Sequence, residues 1–128
     1  MAQENSGPGF ASHPGYTFDF APTQQRLRVY CGDAIIADTT NPVVLTESSY
    51  GPVYYIPRAD VRMDLLRRTD HTSYCPFKGD ASYWTLTAED AHPEGIAWSY
   101  DTPYDESLVI KDHLAFYADR VDEIVLED

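Results

Sequence analysis

Residues 26–39 read RLRVYCGDAIIADT, and this stretch decides the fold. Leu27 and Val29 face one way, Arg26 and Arg28 the other, which is the two-residue period of a half-buried strand. Cys31-Gly32-Asp33 separates this run from AIIAD, and Gly32 supplies a residue that can take positive φ in a turn. The pattern predicts a β-hairpin. The same alternation continues on both sides. Upstream, YTFDF puts Tyr16, Phe18 and Phe20 on one face of a strand. Downstream, Thr39–Pro42 breaks the chain, and VVLTE and VYYIP read as two further strands around a turn at 48–52.

Beyond Pro57 the segment PRADVRMDLL has the one clear helical pattern of the first half. Proline suits a first turn, Asp60 sits near the positive end of the dipole, and Val61 and Leu65 share a face. Strands are then predicted at ASYWTLT, GIAWSY, LAFY and EIVL, with a loop or short helix over Asp101–Asp112. About eight strands and one or two short helices predict a mainly β fold, a compact antiparallel barrel or sandwich. Residues 1–12, small and polar with Gly and Pro, are expected to form a flexible N-terminal tail. Residues 13–128 are expected to form a single β domain.

At 128 residues the chain is long enough to bury a core without a metal or disulfide staple. Its net charge of −12 repels phosphate backbones and anionic lipid surfaces, so no nucleic-acid or membrane partner is expected. A small-molecule ligand and a monomer or homodimer are expected instead. Cys31 and Cys75 form no C-x-x-C pair, and two thiols cannot build a four-cysteine zinc site. There is no apolar leader in MAQENSGPGF, and no run approaches the roughly 20 apolar residues of a membrane helix. A soluble, cytoplasmic protein with free thiols is expected.

The stretch SYCPFKGDASYWTL (73–86) gathers the residues with chemistry to offer. Pro76 and Gly79 make a bend that delivers the chain into a strand. Cys75 is either a nucleophile, activated by a nearby cation such as Lys78 or His71, or a packing residue. Lys78 is either an anion hook or desolvated amine at a pocket mouth, or one half of a salt bridge. Asp80 accepts hydrogen bonds from the turn or serves as a polar group of the site. Cys75, Lys78 and Asp80 are the candidate catalytic residues.

Ten Tyr, five Phe and two Trp make the aromatic residues the most consistent signal. Ile96, Trp98 and Tyr100 are expected on one strand face. Trp84 lies on another strand, and Tyr54 and Tyr55 point to opposite faces of a third. Trp84, Trp98 and a tyrosine facing one another would wall a pocket for a ring or a cation, with the 75–79 bend at its mouth. The alternative is a core filled by these rings. Candidate ligand-contacting residues are Tyr54, His71, Tyr83, Trp84, Trp98, Tyr100 and Tyr104. His13, His71, His92 and His113 have no metal-ligand spacing, so no metal and no cofactor are expected.

Taken together, the hairpin RLRVYCGDAIIADT, VYYIPRADVRMDLL, YCPFKGDASYW and AWSYDTPYDESLVIKDHLAFYADRVD resemble one family. It is the domain-of-unknown-function family numbered four hundred and twenty-seven, also labelled nucleotidyltransferase family nine. The resemblance runs from about His13 to the C-terminus and includes the family's C-P-aromatic-K-G motif at Cys75–Gly79. It implies a compact antiparallel fold with a short helix. That fold is similar to the tent-like β folds of B-type methionine sulfoxide reductases and cereblon-type ligand domains. Nucleotidyl transfer needs carboxylates spaced to hold metal ions, commonly D-x-D or D-x-E after Gly-Ser. The chain has none of these patterns and no P-loop, which argues against that activity. The expected function is a small-molecule-binding domain or small enzyme with an aromatic-walled pocket. The alternative is a non-catalytic interaction module with an acidic surface.

Overall fold

The computed structural model describes residues 5–13, 15–32, 34–47, 51–87 and 95–127. The described chain forms ten strands. They are β1 (Phe18–Pro22), β2 (Arg26–Cys31), β3 (Ala34–Thr39), β4 (Val43–Glu47) and β5 (Val53–Pro57), followed by β6 (Leu66–Cys75), β7 (Gly79–Leu86), β8 (Ala97–Tyr100), β9 (His113–Phe116) and β10 (Glu123–Glu127). A single helical turn, α1 (Gly9–Ser12), precedes them.

Every ladder is antiparallel. Seven strands form one sheet in the order β1-β4-β5-β9-β8-β7-β6, and β10-β2-β3 form a second. Among the described residues no ladder joins β1 to β6, so the large sheet is open and the expected barrel is not closed. The predicted hairpin is β2–β3, with Gly32 at φ 64.

Alternation along each strand gives the large sheet two apolar faces. One packs on the small sheet, bringing Leu27, Val29 and Ile36 against Ile56, Trp84, Leu114 and Phe116. The other gathers Val43, Leu45, Tyr55, Ala81, Tyr100 and Ala115, with Ile110 laid over them. Strands buried on both faces lose the clean polar alternation of a surface strand, as the near-continuous burial of β7 shows.

One reading needs correction, and one strand was not predicted. The helix expected over PRADVRMDLL is two short 3₁₀ turns, Arg58–Asp60 and Met63–Leu65. Between them Val61 is extended (φ −111, ψ 137) and bridges Ala37 of β3, while the Arg62 N–H donates to the Ile36 carbonyl at 2.8 Å. Pairing with an existing strand outweighs a weak local helix preference there. The unpredicted strand is β6. LRRTDHTSYC has no hydrophobic period because it is an edge strand, mostly exposed along its length. Period-two patterning marks strands with one buried face, and β6 has almost none.

Where a loop or short helix was expected over Asp101–Asp112, the chain forms a 3₁₀ stretch over Asp105–Ile110. Residues 5–12, the described part of the segment 1–12 expected as a tail, lie against the β6–β7 turn, as described below. Among the described residues no helix is long and apolar enough to cross a membrane.

Candidate functional site

Cys75 pairs with Gly79 across a three-residue connection, and the Lys78 N–H donates to the Cys75 carbonyl at 3.3 Å. Gly79 sits at φ 116, where an added Cβ would come 3.3 Å from the Thr102 carbonyl oxygen. The turn is held on both sides by backbone. The Gly9 N–H donates to the Pro76 carbonyl (2.9 Å) and the Tyr104 N–H to the Lys78 carbonyl (3.0 Å). Tyr16 stacks on Phe77 at 3.8 Å, and Phe10 meets the same ring edge-on at 5.0 Å.

Lys78 is 7 % exposed. Its Nζ donates to Glu47 Oε1 at 3.0 Å and lies 5.5 Å from the Phe18 ring. The salt-bridge reading of this lysine is the one the structure realises. A buried ammonium is tolerated because a carboxylate at the end of β4 neutralises it. Its partner Glu47 is itself largely buried.

The two indoles do not converge. Tyr83 stands opposite Trp98, and Trp84 opposite Ala97, in the β7–β8 register. Directly opposed residues share a face, so Trp84 and Trp98 lie on opposite faces of the sheet. Trp84 is buried beneath the small sheet, where its Nε1 donates to Ser99 Oγ at 3.0 Å. The Arg58 guanidinium lies 5.0 Å from its ring. Trp98 donates to the Tyr55 hydroxyl at 3.3 Å. Tyr100 shares its face, but Ile96 precedes β8 and packs with the other core. Burial pushes the phenols of Tyr55 and Tyr100 well up, so both stay protonated and neutral.

Around Trp98 there is a hollow. It measures about 350 Å³ and is walled by Leu27 and Val29 of β2, Tyr54 and Ile56 of β5, Phe116 of β9, Trp98, Tyr117 and Ile124. The origin of the space is visible in the ladder. β5 and β9 pair only at Ile56↔Leu114 and Pro57↔His113. Val53 and Tyr54 of β5, Phe116 at the end of β9 and Tyr117 just after it border the cavity beyond that short ladder. The ring of Tyr117 packs on Trp98 with centres 4.4 Å apart.

Of the expected ligand-contacting residues, Tyr54 and Trp98 are in this wall. His71 and Tyr83 face each other, ring centres 4.6 Å apart, in a neighbouring recess. Tyr104 hydrogen-bonds Tyr74 through their hydroxyls at 2.7 Å, which pushes the Tyr74 phenol up to about 12. Asp80 is exposed. Cys75 is half-buried beside the second core, and both thiols are free. The wall residues Leu27, Val29, Phe116 and Tyr117 went unremarked in the sequence as site residues. The alternation in RLRVY placed Leu27 and Val29 on one face, but only the packing of the small sheet shows what that face meets.

Among the described residues no lining side chain is an amine or carboxylate, and Trp98 already donates to Tyr55. The arrangement suits an apolar or aromatic group, with dispersion and ring-edge contacts in place of charge. Among the described residues no three His, Cys, Asp or Glu side chains converge as metal ligands would. A family model described as Domain of unknown function (DUF427) matches residues 19–127. No curated protein matches the chain.

Proposed function

The chain belongs to the DUF427 family, and we propose that it binds a small, largely apolar ligand in the cavity bordered by Trp98 and Phe116, where β5 and β9 part. The cavity itself carries this reading. It is an apolar hollow of about 350 Å³ open to solvent at Pro52 and Ala118, and an apolar group entering it would take its own surface and that of the aromatic walls out of water. That volume falls at the low end of the small-molecule range of roughly 300–1,000 Å³. Binding rather than turnover fits the placement of the expected catalytic groups: Lys78 is ion-paired with Glu47, and Asp80 is exposed. The same reading takes the protein as a soluble, cytoplasmic monomer or homodimer. Its net charge of −12 disfavours polyanionic partners, and its free thiols fit a reducing compartment.

The test is extraction of the purified protein for a retained small molecule by mass spectrometry, followed by titration of that molecule. Ala118→Trp, placed at the exposed rim of the cavity, should abolish binding while leaving thermal unfolding unchanged. Undiminished affinity in that variant would reject the site.

A further inference from the structure

The large sheet ends at β1, and among the described residues no strand pairs along its outer edge. Register fixes which backbone groups that edge presents. The β1–β4 ladder runs without a bulge from Phe18↔Glu47 to Pro22↔Val43, and the Thr23 N–H continues it by donating to the Pro42 carbonyl at 3.0 Å. In an antiparallel pair, bonded and non-bonded residue pairs alternate. Two and four residues back from Thr23, Ala21 and Asp19 bond to β4, so the N–H and C=O groups of Phe18 and Phe20 point away from it. Pro22 also falls on the outward side, where its missing donor costs no ladder bond. Among the described residues no backbone group outside β1 takes these outward bonds.

Beside this edge runs an open groove of about 540 Å³. Phe10, Phe18 and Phe20 border it as a row of rings, with centres 5.6 and 5.2 Å apart. Val109 borders it too, 51 % exposed, and its chain neighbour Leu108 is 53 % exposed. Large apolar side chains left half in water beside a groove mark a docking surface. Both charged side chains at the groove, Asp19 and Glu106, are acids. Asp19 alternates with Phe18 and Phe20, so it stands exposed on the other face of β1. The opposite edge of the sheet is different. There β6 carries a register shift between Arg68 and Thr72 and two adjacent arginines, both devices that discourage strand pairing.

We propose that β1 takes up an extended basic peptide as a further antiparallel strand of the seven-stranded sheet. Phe18 and Phe20 each offer a donor and an acceptor, so the peptide residues opposite them exchange paired bonds with them. Directly opposed residues share a face, so these peptide residues are apolar and lie against Phe18, Phe20 and Val109. The residues between them fall on the face of Asp19 and are lysine or arginine. Charge selects this occupant over a second copy of the chain. Each copy carries −12, and the self-pairing that matches Phe18 to Phe20 sets Asp19 opposite Asp19, where like charges destabilise. The groove and the apolar cavity share no lining residue, so this docking does not depend on what the cavity holds.

An end-capped octapeptide alternating valine and lysine, titrated calorimetrically into the intact protein, tests this. It should bind, and in the complex the amides of Phe18 and Phe20 should exchange more slowly while those of β6 are unchanged. The same peptide with glutamate in place of lysine should not bind. N-methylation of the valines removes the donors aimed at β1 and should abolish binding, whereas N-methylation of the lysines should leave it. Asp19→Lys, at an exposed position, should weaken the lysine peptide roughly five-fold with an unchanged Tm. Ala118→Trp, which obstructs the cavity, should leave peptide binding as it is. Absence of binding, protection gained on β6, or binding that survives methylation of the valines would overturn the proposal. So would protection of Phe18 and Phe20 that grows with protein concentration alone, which would give the edge to a second copy.

Discussion

Lys78 illustrates what a single residue can and cannot announce. A lysine in a bend of an acidic chain looks like either a reactive amine or half of an ion pair, and sequence carries nothing to choose between them. The choice was made by Glu47, thirty-one positions away, whose carboxylate the fold brings to 3.0 Å. Removing one charge from such a pair leaves the other buried and unpaired. Lys78→Met should therefore destabilise the protein by about 3–5 kcal/mol in urea titrations, and Lys78→Met with Glu47→Leu should recover most of that loss. If the single and double variants are equally unstable, the pair is not what holds the turn. The two thiols give a second residue-level expectation. Burial, with Asp122 nearby, pushes the Cys31 thiol up, so its thiolate is scarce. Cys31 is 2 % exposed whereas Cys75 is half-buried. Iodoacetamide should thus label Cys75 well before Cys31 in the native protein, which peptide mapping resolves.

Element by element, the sequence was most legible where one strand face is apolar and a glycine or proline marks the end. VVLTE and VYYIP coincide with β4 and β5 to the residue. It was least legible where tertiary pairing replaces a local preference, as at Val61, or where no face is buried, as in β6. The N-terminal segment belongs to the same lesson. Its small polar residues look like a tail, yet Gly7 and Gly9 fit against Pro76 and Phe77 with no room for a side chain. An added Cβ at Gly7 would sit 2.7 Å from the Pro76 carbonyl oxygen. Gly7→Ala should release residues 5–13, seen as faster amide exchange there, while β7 and β8 keep their protection. Acid should do the same. Burial raises the Glu106 carboxyl, but hydrogen bonds from the Ser6 hydroxyl and the Gly7 N–H at 3.0 Å overcome this and hold it below its ordinary 4.5. A depressed folded value means the contribution is complete above 4.5 and is lost as pH falls through the folded value. The protection of the amides in residues 5–9, relative to their intrinsic exchange, should accordingly fall as the pH drops below 4.5, before global acid unfolding. Protection unchanged by acid until the whole domain unfolds would show that Glu106 does not hold the segment.

For the whole molecule, the sequence specified a mainly β domain but not which faces meet. Trp84 and Trp98 were both legible as large buried rings, and both indoles find hydrogen-bond partners, as buried indoles do. Their separation is set by the β7–β8 register, which alternation within one strand cannot supply. The cavity is likewise a property of assembly, since it lies where β5 and β9 part and the small sheet crosses above. A ligand there binds only the folded state. At a hundredfold excess over its Kd it should raise unfolding free energy by about 2.7 kcal/mol, visible as a higher Tm.

The short β5–β9 ladder has a further consequence. Strands β1–β5 and β6–β10 are two consecutive halves of the chain, stitched by that ladder and by β10 on β2. The hollow is bordered by both halves, with Leu27 and Tyr54 from one and Trp98 and Ile124 from the other. Fragments cut between β5 and β6 would rebuild the protein by complementation across these two ladders, the Lys78–Glu47 pair and the packing of residues 5–12 and Tyr16 on the β6–β7 turn. An occupant of the hollow would act as the glue between them, so reassembly of the split pieces would itself report what the intact protein captures.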